Sequence, residues 1–248
     1  IYYRQSAFQQ SQVMFHRLVL LALSPEESAS SLMWVGKSLE KQGKSAEAAD
    51  YFRQAAAADA TGYYGIRSAE ILNGQSPFTR SSNIDLSVDL NADKTIADQW
   101  MISTFKLDPT TNLSDLSILE TNQKFIRGQE YVKLGFRDEA RNEFEALREE
   151  LTNDPLNSYR LLDFLVDHKF YHTAVFTSRQ ILDQAGLSQE QTLTQAPKYF
   201  NHIRFGVFFR DIVISAANEN NFDPLLLFSI IRQESLFEPA INSSANAR

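Results

Sequence analysis

The sequence predicts an all-α protein. Apolar residues recur at helical spacing along most of the 248 residues, and the alternating pattern of strands is nearly absent. Capping residues and prolines that begin helices alternate with glycines that end them. A pattern of small, glycine, alanine and aromatic positions also repeats, which is typical of stacked helix pairs.

Composition limits the classes of function. The net charge of −7 is spread along the chain, which argues against nucleic acid as a main partner. The absence of cysteine excludes disulfides and thiol chemistry. No apolar run approaches the roughly eighteen residues of a membrane span, and the scattered histidines have no metal-ligand spacing.

The helix starts are marked individually. Ser24-Pro25-Glu26-Glu27 has a serine cap, a proline at the first position and a glutamate three residues after the cap. Asp154-Pro155 is a second start of this kind, whereas Gly43 and Gly186 end helices. Helices are predicted over residues 1–23, 25–42, 45–58, 63–73, 92–105, from 115 into the next pair, from 155, over 171–185, over 199–216 and from 224. Residues 75–90 and 188–197 are predicted to be polar connectors.

One pair of helices repeats along the chain. Its first copy is Gly36, Leu39, Gly43, Ala48, Phe52 and Ala55, and each position is matched 92 residues later by Gly128, Tyr131, Gly135, Ala140, Phe144 and Leu147. A weaker third copy, Leu165, Ala174 and Ile181, follows the second by 34 residues. This pattern resembles the tetratricopeptide repeat, in which helix pairs stack into a superhelix.

The last segment differs from the rest. Asp223-Pro224 predicts a helix start, and the helix that follows is apolar through Ile231 except for one serine. Glu234 lies on the same face as Leu227 and Ile230, near the helix end. We therefore expect its carboxyl group to be buried, and burial and the helix dipole would both disfavour its ionisation, as a general acid requires.

The residues around Glu234 resemble a known motif. Ile231-Arg232-Gln233-Glu234-Ser235, followed by Phe237, Pro239, Ala240, Ser243-Ser244 and Ala247-Arg248, are similar to the first catalytic motif of soluble lytic transglycosylases. The likeness covers about the last thirty residues. Asn246 departs from it, since the family usually has glycine there, and asparagine is the next most tolerant residue of a left-handed backbone.

The resemblance implies a fold and an activity. Members have a helical superhelix before a lysozyme-like catalytic domain, and they cleave the β-1,4 bond between N-acetylmuramic acid and N-acetylglucosamine in peptidoglycan to give 1,6-anhydro products. By position, Glu234 is the catalytic acid and base, and Ser243 lines the sugar groove. Ser235 is a second candidate for substrate binding, with support of the helix end as its structural alternative. The resemblance implies no cofactor and a location in the bacterial cell envelope, periplasmic or extracellular.

Two other functions remain open. A helical-repeat scaffold would bind a protein partner on its superhelix, and a relative with the goose-type lysozyme fold would use the same glutamate to hydrolyse the glycan. Glu238, the nearest second carboxylate, carries no mark of a catalytic residue.

The predicted organisation has two domains. Residues 1–198 are expected to form the helical repeats, and residues 199–248 the first part of a lysozyme-like domain. Because the chain starts without methionine and stops within the motif, we expect it to be a fragment and residues 1–248 alone to be inactive.

Overall fold

A computed structural model describes residues 1–77 and 85–239, and within these ranges every regular element is a helix. The all-α prediction is therefore confirmed. None of the helices in the described ranges combines the length and the hydropathy needed to cross a membrane. The described residues divide into two compact units, with the division between residues 77 and 85.

The first unit is built from four helices, each packed on the next. Its core joins Leu32, Met33, Val35 and Leu39 of the second helix to Ala48, Phe52 and Ala55 of the third. The helices are α1 (Phe8–Leu21), α2 (Pro25–Lys41), α3 (Ser45–Ala58) and α4 (Tyr63–Leu72). The predicted start of α2 is confirmed, because the Ser24 hydroxyl accepts the Glu27 amide at 3.1 Å.

The second unit holds the remaining helices and a larger core, centred on aromatic residues such as Phe125, Phe144 and Phe164. The helices are α5 (Leu90–Thr104), α6 (Gln123–Leu134), α7 (Arg137–Glu150), α8 (Pro155–Asp167), α9 (Tyr171–Gln184), α10 (Gln189–Thr194), α11 (Lys198–Arg204), α12 (Arg210–Glu219) and α13 (Pro224–Ser235), with a 3₁₀ turn at Leu119–Thr121. Within this unit α6 packs on α7, α8 on α9, and α11 on both α5 and α9.

The repeated positions make the same contacts in the first two copies. Gly36 of α2 faces Phe52 of α3, and Gly128 of α6 faces Phe144 of α7. An added Cβ would lie 2.8 Å and 2.4 Å from the respective phenylalanine rings. Because the glycines have no side chain, the rings can lie directly against the backbone of the partner helix. The glycines that end the first helices, Gly43 and Gly135, both have φ of +79°.

The third copy, formed by α8 and α9, has a weak sequence pattern because two of its key positions carry different residues. The position equivalent to Gly128 is Leu162, and the position equivalent to Phe144 is Ser178; both are fully buried. The first helix now carries the large side chain and the second helix the small one, the reverse of the first two copies, so the sequence pattern is lost. The turn residue is Lys169, which adopts the left-handed conformation at φ +61° without being glycine.

Three local predictions are wrong, and a fourth is too long, since the helix expected from residue 1 begins at Phe8. The helix expected from Asp115 begins at Gln123, because Asp108, Asn112 and Asp115 accept backbone amides two residues ahead and hold turns instead. The connector at 188–197 contains α10, which a capping box between Ser188 and Gln191 begins.

The third error concerns the aromatic helix expected over 199–216, which is two helices, α11 and α12. Between them, Gly206 approaches the His202 carbonyl so closely that an added Cβ would lie 2.5 Å from its oxygen. Phe209 then takes φ of +58°, which no helix interior allows. The superhelix, the lysozyme-like domain and the boundary at residue 198 stay predictions.

Candidate active site

The helix that carries Glu234 starts as predicted. The Asp223 carboxylate accepts the amides of Leu225 at 2.8 Å and Leu226 at 3.1 Å, and Pro224 occupies the first helical position. α13 then packs through Leu227, Phe228 and Ile231 on a cluster that includes Tyr171 of α9 and Val213 of α12. Among the residues that the structure describes, it is this side of the helix that is covered.

The expected burial of Glu234 is wrong. Glu234 is exposed, and so are Leu225, Leu226 and Ile230, each more than two-fifths exposed. The carboxylate shares the uncovered side of α13 with Leu226 and Ile230, which precede it by eight and four residues. Of the two residues expected on its face, Ile230 is exposed beside it, whereas Leu227 packs in the cluster on the covered side. The exposed apolar residues do not meet a packing partner among the described residues.

The two candidate serines have different outcomes. The Ser235 hydroxyl donates to the Ile231 carbonyl at 3.1 Å, which is the local support of the helix end that its position suggested. Its contact with a substrate stays a prediction. Ser243 lies outside the described residues, as does Asn246.

The backbone directly after Glu234 turns sharply. Leu236 and Phe237 are consecutive non-glycine residues with φ of +47° and +63°, a conformation that costs on the order of 1 kcal/mol or more for each. Phe237 is held there by its ring, which is 2% exposed and packs edge-on to Phe208 with centroids 5.3 Å apart. The turn therefore depends on the aromatic cluster below it.

A buried ion pair fixes the other end of this turn. Glu238, whose side chain is 1% exposed, accepts the Arg137 Nε–H at 2.8 Å. The Arg137 guanidinium also lies over the Phe170 ring and donates to the carbonyl groups of His168 and Lys169. Because Arg137 begins α7, this contact ties the segment after Glu234 to the core helices of the second unit.

Arg232 has a structural position. Its Nε–H donates to the Arg204 carbonyl at 2.7 Å, and its guanidinium lies 5.0 Å from the Phe205 ring centre. Burial lowers the pKa of Arg232 below its usual value. Gln233 is exposed. The contact of Arg232 therefore joins the end of α13 to the end of α11.

Sequence reasoning missed the role of Glu238. A glutamate between Phe237 and Pro239, in an otherwise apolar stretch, was a signal that the carboxylate is buried and needs a cation. The partner could not be named, because Arg137 lies 101 residues earlier and its own neighbours give it no special mark.

Comparisons of the chain with protein-family models, with curated proteins and with solved structures gave no match.

Proposed function

We propose that the protein is a lytic transglycosylase that cleaves the β-1,4 bond between N-acetylmuramic acid and N-acetylglucosamine in peptidoglycan. The observation that carries the proposal is the motif around Glu234 at the end of an apolar helix, with the carboxylate accessible from solvent. An exposed carboxylate can meet a polymeric substrate directly.

In the proposed reaction a single carboxyl group acts twice. Glu234 first donates its proton to the glycosidic oxygen as that oxygen leaves C1 of the muramic acid residue. The resulting carboxylate then removes the proton of the C6 hydroxyl group, whose oxygen bonds to C1. The product is a 1,6-anhydro sugar, no water is consumed, and no metal or organic cofactor takes part.

The surroundings of Glu238 support a mechanism with one carboxyl group. Most glycoside hydrolases use a pair, one as acid and one as base or nucleophile. Glu238 is the nearest alternative in sequence, but it is buried and paired with Arg137. A carboxylate so enclosed cannot reach a sugar without breaking that contact, so Glu238 is a poor second catalytic group.

The exposed apolar residues beside Glu234 give the proposal a further support. Leu226 and Ile230 lie one turn apart on the same side of α13 and lead to the carboxylate. A surface that lies against them would exclude water from Glu234, and desolvation favours the protonated carboxyl group. Bound glycan is the proposed cover, with Ser243 and Ser235 as hydrogen-bonding candidates in the groove.

The proposal includes a location and partners. Peptidoglycan glycan strands are the substrate, so the protein would act in the bacterial cell envelope, in the periplasm or outside the cell. The helix pairs could hold a partner protein there, as tetratricopeptide-like arrays do.

The test uses the protein in its full length with purified peptidoglycan, beside a Glu234→Gln variant. Loss of the general acid should lower the rate about 10²–10⁴-fold. Glu219→Gln is the matched control, because Glu219 is also an exposed glutamate near a helix end, in the neighbouring α12. It should retain full activity.

The products separate the alternatives. Anhydro-muropeptides that Glu234→Gln no longer releases would support the proposal. Products with reducing ends would indicate instead that the protein is a lysozyme-type hydrolase that uses the same glutamate. If neither protein releases soluble products, the lytic proposal fails and the helical-repeat scaffold becomes the better hypothesis.

A further inference from the structure

A separate cavity of about 390 Å³ lies in the second unit between α5, α8 and the start of α11. None of its lining residues belongs to α13 or to the turn after Glu234, and it has no part in the proposed reaction. Polar groups on its lining include Asn91 and Lys94 of α5, Arg160, Asp163 and Asp167 of α8, and Tyr199 of α11. The volume falls in the range of small-molecule sites.

Charged side chains that line the cavity or lie beside it are joined by ion pairs and a hydrogen bond. Lys94 Nζ lies 2.9 Å from Asp98 and 2.8 Å from Asp163, and the Tyr199 hydroxyl donates to Asp163 at 2.6 Å. Burial raises the pKa of Asp163, whereas Lys94 and Tyr199 act against that rise. Burial lowers the pKa of Lys94, but its two carboxylate contacts outweigh this and raise it overall. Lys94 and Asp163 are thus a contacting ion pair in which each partner favours the charged form of the other.

Arg160 has unused hydrogen-bonding capacity beside this network. Its side chain is 6% exposed, with Nη1 donating to the Asn157 side chain at 3.1 Å and Nη2 to the Asn112 carbonyl at 2.6 Å. Its Nε–H is buried without a hydrogen-bond partner among the described residues. A buried guanidinium that is only partly satisfied is costly, and Arg160 is among the residues that line the cavity.

The charge balance limits the ligand class. The lining carries two cationic side chains, Lys94 and Arg160, and two carboxylates, Asp163 and Asp167. Two further carboxylates lie beside these cations: Asp98 is 2.9 Å from Lys94, and Asp115 is 4.0 Å from Arg160. The cavity therefore has no positive excess to attract a nucleotide or another polyanion, and its lining presents side chains of both signs to a ligand.

The aromatic lining argues against a sugar. Phe164 and Tyr199 are 6% and 3% exposed, so neither ring offers an open face on which a sugar could stack. The His168 imidazole also covers one face of Phe164, with ring centres 4.0 Å apart. The apolar part of the cavity is instead aliphatic, formed by Leu90, Leu116 and Val166.

We propose that this cavity binds a zwitterionic ligand of the amino acid or short peptide class. The Asp167 carboxylate, which is exposed at the rim, receives the ammonium group. Arg160 and Lys94 bind the carboxylate, and the aliphatic side holds the side chain. The proposal is independent of the lytic reaction, because it concerns binding alone.

Three probes that differ only at their ends test the charge requirement by calorimetry. The first is alanyl-alanine with both ends free, the second has its amino group acetylated, and the third is its amide. The free dipeptide should bind, and each blocked form should bind roughly tenfold more weakly. Equal binding by the three, binding of N-acetylglucosamine but not the dipeptide, or no binding at all would overturn the proposal.

A variant then tests the assigned residue. In Asp167→Asn the free dipeptide should lose about tenfold in affinity, and its advantage over the acetylated form should disappear. Asp167 is exposed, so the fold should survive, which a circular dichroism melt checks. Glu139→Gln is the control, an exposed carboxylate of α7 outside the cavity. If Asp167→Asn keeps the preference for a free amino group, the assignment of Asp167 is wrong.

Discussion

The two partners of the Arg137–Glu238 ion pair differ in how much water they can reach. The Glu238 side chain is 1% exposed and the Arg137 side chain 30%. One Glu238 oxygen, Oε2, has no hydrogen-bond partner among the described residues. Removal of the cation therefore leaves a charge that water cannot reach, whereas removal of the carboxylate leaves an arginine that still has carbonyl partners and some solvent.

This difference predicts unequal costs. Arg137→Met should lower the free energy of unfolding by about 2–4 kcal/mol, because it strands the buried carboxylate and removes the stacking on Phe170. Glu238→Gln should cost about 1 kcal/mol, since the amide keeps the shape of the carboxylate without its charge. Urea denaturation of both variants measures the two values.

A matched pair on the surface is the control. Lys133 and Glu130 lie 2.7 Å apart, close to the 2.8 Å of Arg137 and Glu238, but their side chains are 68% and 58% exposed. Lys133→Met should change stability by less than about 0.5 kcal/mol. The double variant Arg137→Met/Glu238→Gln should be more stable than Arg137→Met alone, and a further loss would show that the ion pair does not explain the cost.

His172 predicts a pH dependence of stability. Burial lowers its pKa below the usual 6.5; Arg141 and Arg148 lower it further, while Glu145 and Glu238 act in the opposite direction. The unfolded chain therefore takes up a proton at a higher pH than the folded protein does. The contribution of neutral His172 is complete above pH 6.5 and is lost as the pH falls below it.

Thermal unfolding between about pH 7.5 and pH 5 tests this, with His172→Gln as the reference that cannot titrate. The parent protein should lose more stability across the interval than the variant does. Identical slopes would mean that His172 does not contribute. Carboxylates that titrate in the same interval are common to both proteins and cancel in the comparison.

At the scale of the elements, the glycine and phenylalanine pairs determine how closely paired helices approach. Gly128→Ala should lower the free energy of unfolding by about 1–3 kcal/mol, because the new Cβ meets the Phe144 ring at 2.4 Å. Gly36→Ala should cost less, since its Cβ would lie at 2.8 Å from Phe52. The better helix propensity of alanine offsets about 1 kcal/mol in both cases.

A double variant shows whether the ring is the cause. In Gly128→Ala/Phe144→Leu the smaller side chain gives the added methyl group room, so the two changes together should cost less than the sum of their separate costs. Chemical denaturation of the parent protein, the two single variants and the double variant gives the coupling free energy between the two positions. Strict additivity would mean that Gly128 matters for some reason other than its contact with Phe144.

Helix starts and repeats could be predicted because their causes are local. Ser24 and Asp223 cap their helices through amides two or three residues away, and Gly128 and Phe144 keep a fixed spacing. The exposure of Glu234 could not be predicted, because helical spacing gives a residue's face but not what packs there. The partner of Glu238 could not be predicted either, because Arg137 belongs to a helix 101 residues earlier in the sequence.

At the scale of the whole molecule, each unit has a core of its own. The cluster of the first unit draws on residues from Phe15 to Ile71. The two clusters of the second unit draw on residues from Leu86 to Phe237. The boundary was not predictable from composition, because the polar segment before Leu90 resembles other connectors. The repeat pattern gave no sign of it either, since one copy lies before the boundary and two lie after it.

Separate cores predict separate folding. Residues 1–84 and 85–248, expressed alone, should each be helical and unfold cooperatively, because each retains all residues of its own clusters. Urea unfolding followed by circular dichroism should give the second piece the steeper dependence on urea, since it has 164 residues against 84 and exposes more surface. The first piece should be the less stable, as its small core buries less apolar area. A first piece that is unfolded alone but folded within the whole chain would contradict the division, and would mean that the second unit contributes to its stability.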